Sequence, residues 1–503
     1  MDTLHTYDEL PYTSLPLPET QPDFVAAMAW LHGYAAPDPR CARVLELGCA
    51  SGGNLIPLAF HHPESDYTGI ELSRQQAESG ARFLAVLGLN NARIVHADLA
   101  ALPDNLGEFD YIIAHGVFSW VPPEVQQALL RVCRTHLAPK GLAYLSFNVS
   151  AGWQKLLPLR EALLAETDVS LAAPQRVLQA REILDKFETE WDDPLLLQEI
   201  AHLKAAEPSY LFHEFLAEHN APIGFANFAK QLDGAGLRYV GEVGPQRAVV
   251  ELKNASGLTP DAIATRWREA EVALDEVYQT RFRRALISRA DAPRAQPPEL
   301  VRLPQLAFYC DLTSDAEIDL DIPCEQDFID AAGNRFKVSN PLLKAGLMAL
   351  SAAYPAALRY ADWLQAAHEL MVHFEASGSR DEAELCVELF SLVIAHGVLV
   401  TVDGQGHPAH LPLTPQAHTL AHLQAGTPGW VVSGVRQVAL GLDEQGRALL
   451  ALLDGTRTVE ELTQAMRPNL FGSEVSADNV ENLIQQKIAL FARQGLLHTP
   501  ANI

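Results

Sequence analysis

The segment VLELGCASGGN, residues 44–54, holds the residues with the clearest chemical potential in this sequence. An apolar run ends at Gly48, a helical pattern begins near Asn54, and mostly small residues lie between them. Small residues let a backbone pass close beneath a nucleotide and let the N-terminus of the next helix face it. The segment therefore predicts a nucleotide-binding loop between a strand and a helix.

Two classes of cofactor fit the spacing of this loop. Gly48, Ala50 and Gly53 form a degenerate version of the G-x-G-x-x-G fingerprint of dinucleotide-binding proteins. Glu46, Gly48, Ala50 and Gly52 form the E-x-G-x-G-x-G loop of S-adenosylmethionine enzymes. Each pattern has alanine in place of one glycine, so the loop alone leaves both cofactors open.

Two further acids come at the ends of the next two predicted strands. Glu71 lies 23 residues after Gly48, where a carboxylate can accept both ribose hydroxyls of either cofactor. Asp98 ends the third strand, where a carboxylate suits the exocyclic amine of adenine in a methyltransferase and is not part of the dinucleotide fingerprint. Either acid could merely cap the helix that follows it. Acids at consecutive strand ends nevertheless favour S-adenosylmethionine over a dinucleotide.

The elements that must position these residues follow an alternating pattern of apolar runs and helical periods. The predicted strands are residues 43–48, 67–72, 92–99, 109–116 and 142–148, and the helices between them are 54–61, 74–87 and 123–137. This spacing implies right-handed crossovers and a mostly parallel sheet. Residues 151–222 predict a helical insertion, after which a hairpin of 237–243 and 246–253 closes the sheet.

Three stretches of the chain carry a narrower resemblance. They are TYDELPYTSLPLPETQPD (6–23), VLELGCASGGNLIPLA (44–59) and HGVFSWVP (115–122). The chain resembles the bacterial class I S-adenosylmethionine-dependent methyltransferases that carry a methyltransferase regulatory domain, and residues 210–242 and 278–289 resemble that regulatory region. The group includes lysine methyltransferases that act on outer-membrane proteins. The resemblance covers about the first 290 residues well and does not fix the substrate.

The resemblance implies roles for individual residues. Gly48, Cys49 and Gly52 would run beneath the methionine part of S-adenosylmethionine, and Glu71 would hold its ribose. Asp98 and Leu99 would hold the adenine. The remaining residues of the expected cofactor site are Tyr7, Glu46, Asn54 and His115. The expected catalytic residues are His115, Trp120 and Tyr12, with Tyr7 and Tyr12 in a segment that folds over the site.

The stretch HGVFSWVP bears on the methyl acceptor. Amino-group methyltransferases keep an Asn-Pro-Pro-aromatic motif at this place, which accepts a hydrogen bond from a planar amide or a base amine. His115 and Gly116 replace its polar start, which disfavours nucleobase or glutamine methylation. Phe118 and Trp120 either wall a channel for an aliphatic amine or belong to the core. We expect a protein lysine as acceptor, with a small molecule as the alternative.

The resemblance and the element pattern together predict three domains in an α/β protein with a Rossmann-like class I methyltransferase sheet. Residues 1–255 would bind S-adenosylmethionine, 256–405 would form a helical regulatory domain, and 406–503 a winged-helix-like domain. The basic run 282–289 predicts a solvated helix face. A cofactor-binding regulatory protein without transferase activity is a further alternative for the whole chain.

Composition and charge exclude several classes of protein. The net charge of −26 disfavours a partner with a phosphate backbone, so no nucleic acid is expected. Six cysteines without a CxxC pattern indicate a reducing compartment, and no signal peptide or membrane span is found, so we expect a cytoplasmic protein. No metal is expected, although His407, His410, His418 and His422 have a metal-like spacing. The expected partners are a lysine-bearing protein, with outer-membrane proteins before export among the candidates, and a second copy of the chain.

Overall fold

The computed structural model describes residues 9–245, 259–404, 406, 409, 411–470 and 477–498 of the chain. The strand predicted at 246–253 lies outside these ranges, as do Tyr7, His407 and His410. None of the described helices is long and apolar enough to cross a lipid bilayer.

A seven-stranded sheet organises the first part of the chain, with strand order β3-β2-β1-β4-β5-β7-β6. Its strands are β1 Arg43–Leu47, β2 Asp66–Glu71, β3 Ala92–His96, β4 Phe109–Ala114, β5 Leu137–Asn148, β6 Leu237–Glu242 and β7 Phe282–Arg289. The first five are parallel, and β7 runs antiparallel to both β5 and β6. The α/β class and the five predicted parallel strands are confirmed.

The parallel strands are apolar because helices cover the sheet. Val44, Leu45 and Leu47 of β1 are all fully buried, which is the pattern of a strand covered on both faces. The crossover helices are Leu55–His61, Arg74–Leu87 and Pro123–His136. Ser73 caps the second of these by accepting a hydrogen bond from the backbone of Gln76.

Strand β7 corrects the interpretation of the basic run 282–289. We expected a solvated helix face, but these residues form a strand between β5 and β6. Arg283 is only 5% exposed, and its guanidinium pairs with Glu242, Glu271 and Asp275. These carboxylates come from β6 and from the helix Pro260–Tyr278, and the run 282–289 itself does not show that they enclose its arginine. The sheet therefore runs past the domain boundary expected at residue 255.

The helical insertion lies between β5 and β6, as expected. Its helices are Ser150–Trp153, Leu157–Glu166, Ala173–Glu190, Pro194–Ala205, Pro208–Leu211 and the π-helical turn Phe212–Leu216. They enclose an apolar core of their own, in which Leu159, Leu184 and Leu203 are fully buried. Leu10 of the N-terminal segment and Trp120 pack against this core, so the insertion contacts the sheet domain beside the end of β4.

The rest of the chain forms smaller units of short strands and helices, and apolar side chains of these units pack against the first domain. Strands Leu358–Arg359, Ala307–Tyr309 and Leu399–Thr401 form one small sheet. Its helices are Pro341–Ala353, Tyr360–His373 and Glu382–Ile394, and the C-terminal helices are Thr419–Gly426, Glu444–Leu452, Val459–Leu470 and Ala477–Arg493. Phe24 and Leu31 of the first domain share one apolar cluster with Phe308 and Trp363, so the two parts pack directly against each other.

Candidate active site

A cavity of about 640 Å³ lies at the carboxyl ends of β1, β2 and β4. Ligands of open parallel sheets bind at this edge, where the strand order reverses, and here the reversal falls between β1 and β4. The volume is within the usual range for small-molecule sites. The cavity is therefore the candidate active site.

The glycine loop forms the floor of one end of the cavity. Gly48 and Gly52 have φ angles of +70° and +84°, which glycine adopts without strain. A Cβ atom at Gly48 would lie 2.8 Å from a methyl carbon of Val117, so the position also lacks room for a side chain. Gly48, Cys49 and Ala50 line the cavity, whereas Gly52 turns the backbone below it, against Ile56.

Glu71, at the end of β2, contacts both the glycine loop and the cavity. Its Oε2 accepts a hydrogen bond from the backbone nitrogen of Ala50 at 2.8 Å, and its Oε1 accepts one from Ser73 at 2.8 Å. The same carboxylate lines the cavity. Glu71 therefore holds the glycine loop against β2 and also faces the site, while Ser73 and not Glu71 caps the helix that follows.

Asp98 follows β3 and lines the cavity beside Leu99. Its Oδ1 accepts a hydrogen bond from the backbone nitrogen of Ala100 at 2.8 Å, which caps the short turn Leu99–Ala101. The carboxylate is exposed, so its second oxygen is open to a ligand. The two acids expected at consecutive strand ends are thus brought to one cavity.

Glu46 lines the cavity, and one of its carboxyl oxygens has no hydrogen-bond partner among the described residues. Its Oε1 accepts a hydrogen bond from Nδ2 of Asn54 at 3.0 Å, while its buried Oε2 has no partner among the described residues. Burial and the neighbouring charge of Glu71 raise the pKa of Glu46 to about 8, although the Asn54 hydrogen bond lowers it. An enclosed, unpartnered carboxyl oxygen suits a cationic ligand group, such as the ammonium of an amino acid.

The N-terminal segment crosses the glycine loop. Ser14 Oγ accepts a hydrogen bond from the backbone nitrogen of Gly53 at 2.7 Å. Asn54 Oδ1 accepts hydrogen bonds from Leu17 and from the hydroxyl of Thr20, at 3.0 and 3.1 Å. Asn54 thus links this segment to Glu46. From the sequence we expect Asn54 among the cofactor residues, and we do not predict this structural link.

Two expected site residues, His115 and Tyr12, also line the cavity. The Nδ1 atom of His115 lies 2.8 Å from the hydroxyl oxygen of Tyr144, and the two rings stack. Burial, and to a smaller extent the nearby charge of Arg284, lower the pKa of His115 to about 4. The imidazole is therefore neutral at neutral pH and presents no positive charge to an acceptor.

Aromatic rings of different elements form part of the wall. Trp120 and Trp153 both line the cavity, with ring centroids 6.3 Å apart and nearly perpendicular planes. Phe118 does not line it: this ring is fully buried and packs edge-on against Phe228 and near Phe147. The tight turn Phe118–Trp120 points its two aromatic ends to different sides, so the idea of Phe118 as a channel wall is wrong.

The helical insertion contributes residues that the sequence interpretation missed. Tyr210, His213, Glu214 and Phe215 line the cavity together with the Glu199–Arg281 ion pair. Their approach depends on how the insertion folds back onto the sheet, which no local pattern shows. One signal was present: His213 and Glu214 interrupt the otherwise apolar run YLFHEFL, residues 210–216.

The described part of the chain contains no group of three or more histidine, cysteine or acidic side chains that could hold a metal ion. Of the histidine run, His418 accepts a hydrogen bond on Nδ1 from Ala421 at 3.1 Å and so caps its helix. The ring of His422 lies 3.1 Å from the carbonyl oxygen of Leu453.

Three protein-family models match separate parts of the chain. Residues 45–143 match the model described as methyltransferase domain. Residues 207–289 match the "Predicted methyltransferase regulatory domain", and residues 414–495 match the "PKMT, C-terminal winged helix domain". The second match ends with β7, in agreement with a sheet that continues to Arg289.

Known proteins match the chain in sequence and in fold. Protein RP789 of Rickettsia prowazekii is 32% identical over 300 residues, which are 57% of this chain and about half, 53%, of that protein. RP028 of the same organism is 29% identical over 232 residues, 45% of this chain and 93% of that protein. The structure of PKMT2 from Rickettsia typhi in complex with AdoHcy superposes with a TM-score of 0.82 at 22% identity, covering 97% of this chain and all of that one.

The comparisons confirm the resemblance to methyltransferases with a regulatory domain. The S-adenosylmethionine-dependent methyltransferase class of the first domain and the winged-helix character of the last are confirmed with it. At 22% identity the superposition establishes the fold. The individual site residues stay predictions.

Proposed function

We propose that this chain transfers methyl groups from S-adenosylmethionine to lysine side chains of a protein substrate. One observation carries the proposal: a single cavity joins a glycine loop with strand-end acids to an aromatic, partly acidic wall. The first part suits the cofactor, and the second suits an alkyl chain that ends in an amine.

The cofactor would occupy the part of the cavity built on the parallel strands. Glu71 would receive the ribose hydroxyls, Asp98 and Leu99 the adenine, and Oε2 of Glu46 the ammonium of the methionine part. When bound, the cofactor supplies an electrophilic methyl group on a sulfonium. Methyl transfer is an in-line displacement, so the main task of the protein is to position the two reactants.

The aromatic wall addresses the chemistry of the acceptor. A lysine amine must lose its proton before it can attack, and at an ordinary pKa only roughly 0.04% of lysine is neutral at pH 7. An apolar channel disfavours the ammonium and lowers its pKa. Trp120, Trp153 and Tyr12 supply such surfaces, and the neutral His115 adds no positive charge that would repel the incoming ammonium.

The partner follows from charge and size. The net charge of −26 attracts a basic protein segment, and the helical insertion at the cavity offers surface for a large substrate. PKMT2 of Rickettsia typhi shares the fold over nearly the whole chain. We include an outer-membrane protein before export among the substrates, and a homodimer as the assembled state. All six cysteines are unpaired, which supports action in the cytoplasm.

The test of this function is methyl incorporation into protein. The purified full chain is incubated with labelled S-adenosylmethionine and a bacterial outer-membrane protein preparation, beside the same preparation with its lysines dimethylated beforehand. We expect mass increases in steps of one methyl group on lysine, abolished by the blocking. Equal incorporation into the blocked protein would overturn lysine as the acceptor. Light scattering on the purified chain measures the dimer separately.

A further inference from the structure

Two carboxylates of the helical insertion, Glu199 and Glu214, line the cavity. Glu214 lies in the π-helical turn Phe212–Leu216 and has no hydrogen-bond or ion-pair partner among the described residues. Glu199 is 5% exposed, and its Oε2 lies 2.7 Å from a guanidinium nitrogen of Arg281. Its Oε1 is buried and unpartnered within the part of the chain that the structure describes.

Unpartnered acidic oxygens on the wall of a cavity point to a cationic ligand. Removing a carboxylate from water is costly unless a positive group or hydrogen-bond donors compensate for the lost hydration. Arg281 compensates one oxygen of Glu199, while Glu214 has no cation beside it among the residues described. Burial raises the pKa of Glu214 to about 7, so this carboxyl can both release and take up a proton near neutral pH.

The aromatic titratable groups around Glu214 are neutral. Burial and the charge of Glu214 raise the pKa of Tyr12 to about 12 and raise that of Tyr210 as well. Burial lowers the pKa of His213, whose Nε2 donates a hydrogen bond to the carbonyl oxygen of Leu10 at 2.7 Å. The rings of Tyr12 and His213 have centroids 5.5 Å apart. Glu214 thus stands among neutral aromatic side chains, which suit a cation with an alkyl stem.

We propose that Glu214, assisted by Glu199, binds the ammonium of the methyl acceptor, and that Glu214 takes its proton. This inference rests on the proposed function. The N–H bond of the ammonium breaks as an O–H bond forms on Glu214, which leaves a neutral amine. The nitrogen lone pair forms the new N–CH3 bond while the S–CH3 bond breaks, and that electron pair stays on sulfur. The methylated nitrogen carries the positive charge, and Glu214 later loses its proton to water.

The experiment compares two cofactor analogues on the purified full chain. In both analogues, nitrogen replaces the sulfonium sulfur. One analogue carries an aminoethyl arm in place of the methyl group, and the other carries a propyl arm of the same size. Calorimetry measures their dissociation constants on the wild type, on Glu214→Gln and on Glu218→Gln. Glu218 is exposed, follows the same turn and does not line the cavity, so its variant is the matched control.

We expect the wild type and Glu218→Gln to bind the aminoethyl analogue with an affinity about tenfold or more above that for the propyl analogue, because its ammonium makes a charge-assisted hydrogen bond. Glu214→Gln should lose this preference. In the wild type the preference should fall as the pH drops from about 8 to about 6, because Glu214 becomes protonated. A wild type without preference, or a Glu214→Gln protein that retains it, would overturn the ammonium site, and a flat pH dependence would overturn the proton transfer.

S-adenosylhomocysteine binding separates this inference from the proposed function. If the three proteins bind it equally, the variants are folded, and the analogue data test Glu214 alone. If the wild type does not bind it, the proposed function fails and this inference fails with it. If only Glu214→Gln does not bind it, Glu214→Asp replaces that variant: it keeps the carboxylate on a shorter stem and should retain part of the preference.

Discussion

Asn54 donates a hydrogen bond from Nδ2 to Oε1 of Glu46 at 3.0 Å, and its other amide atom accepts from the N-terminal segment. This pair fixes one carboxyl oxygen of Glu46 and leaves Oε2 without a partner among the described residues. The first residue of the glycine-loop motif is thereby connected to the segment that crosses the loop.

Cofactor binding should release a proton from Glu46. The pKa of about 8 keeps this carboxyl mostly protonated at neutral pH, and a bound ammonium would favour the carboxylate. Affinity for S-adenosylhomocysteine should therefore rise between about pH 6.5 and pH 8.5. Calorimetry in buffers of different ionisation enthalpy should detect the proton in the wild type and in Asp66→Asn, and not in Glu46→Gln. Equal proton release by Glu46→Gln would assign the proton to another group.

The same carboxyl should make the free protein less stable at alkaline pH. Its pKa is raised from about 4.5 in the unfolded chain, so the contribution to stability is complete below that value and is lost as the pH rises through about 8. Glu46→Gln removes this titration. At about pH 8.5 it should raise the free energy of unfolding by a few kcal/mol, with a smaller gain at pH 6. Urea unfolding at both pH values checks this, and a gain independent of pH would contradict it.

Removing the strand-end acids should weaken cofactor binding. Glu71→Ala deletes charge-assisted hydrogen bonds, each worth roughly 1.5–3 kcal/mol, so the affinity for S-adenosylhomocysteine should fall at least tenfold. Asp98→Ala should also lower it. Asp66→Ala, at the exposed opposite end of β2, is the control and should bind as the wild type does. Unchanged affinity in both Glu71→Ala and Asp98→Ala would refute the cofactor assignment.

His115 should affect methyl transfer more than cofactor affinity. Tyr144→Phe removes the hydroxyl that orients the imidazole at 2.8 Å, and we expect methyl transfer to slow by up to about tenfold. Tyr67→Phe changes a buried tyrosine outside the cavity and is the matched control. Because the pKa of His115 is about 4, its titration should not appear in a rate profile between pH 6 and 8. A step near pH 6.5 that His115→Phe abolishes would contradict this.

Arg283 should be essential for the stability of the sheet. Arg283→Met leaves Glu242, Glu271 and Asp275 buried without their cation, and loss of one partner of a buried ion pair costs about 3–5 kcal/mol. Arg268→Met removes a more exposed pair with Asp233 and should cost about 1 kcal/mol or less. Urea unfolding measures both, and equal losses would show that the buried cluster has no special role.

The nucleotide loop and the parallel strands could be predicted because their signals are local. A strand covered by helices on both faces needs a continuous apolar run, as in β1, and a left-handed turn without room for a side chain needs glycine, as at Gly48. Glu71 and Asp98 follow these strands directly, so their meeting at one edge follows from parallel order. Strand β7 was missed because the run 282–289 does not itself show that Glu242 and Glu271 fold against Arg283 and neutralise it.

The α/β class, the nucleotide loop and the acids beside it can be read from the amino-acid sequence, since each depends on neighbours within one strand–turn–helix unit. The three-dimensional packing was needed to show that Phe118 is core while Trp120 lines the cavity, because that depends on which side of one turn each ring packs. It alone brought Glu199 and Glu214 to the cavity, since the insertion folds back across the sheet edge. Such contacts arise from the packing of whole helices, which local sequence patterns do not encode.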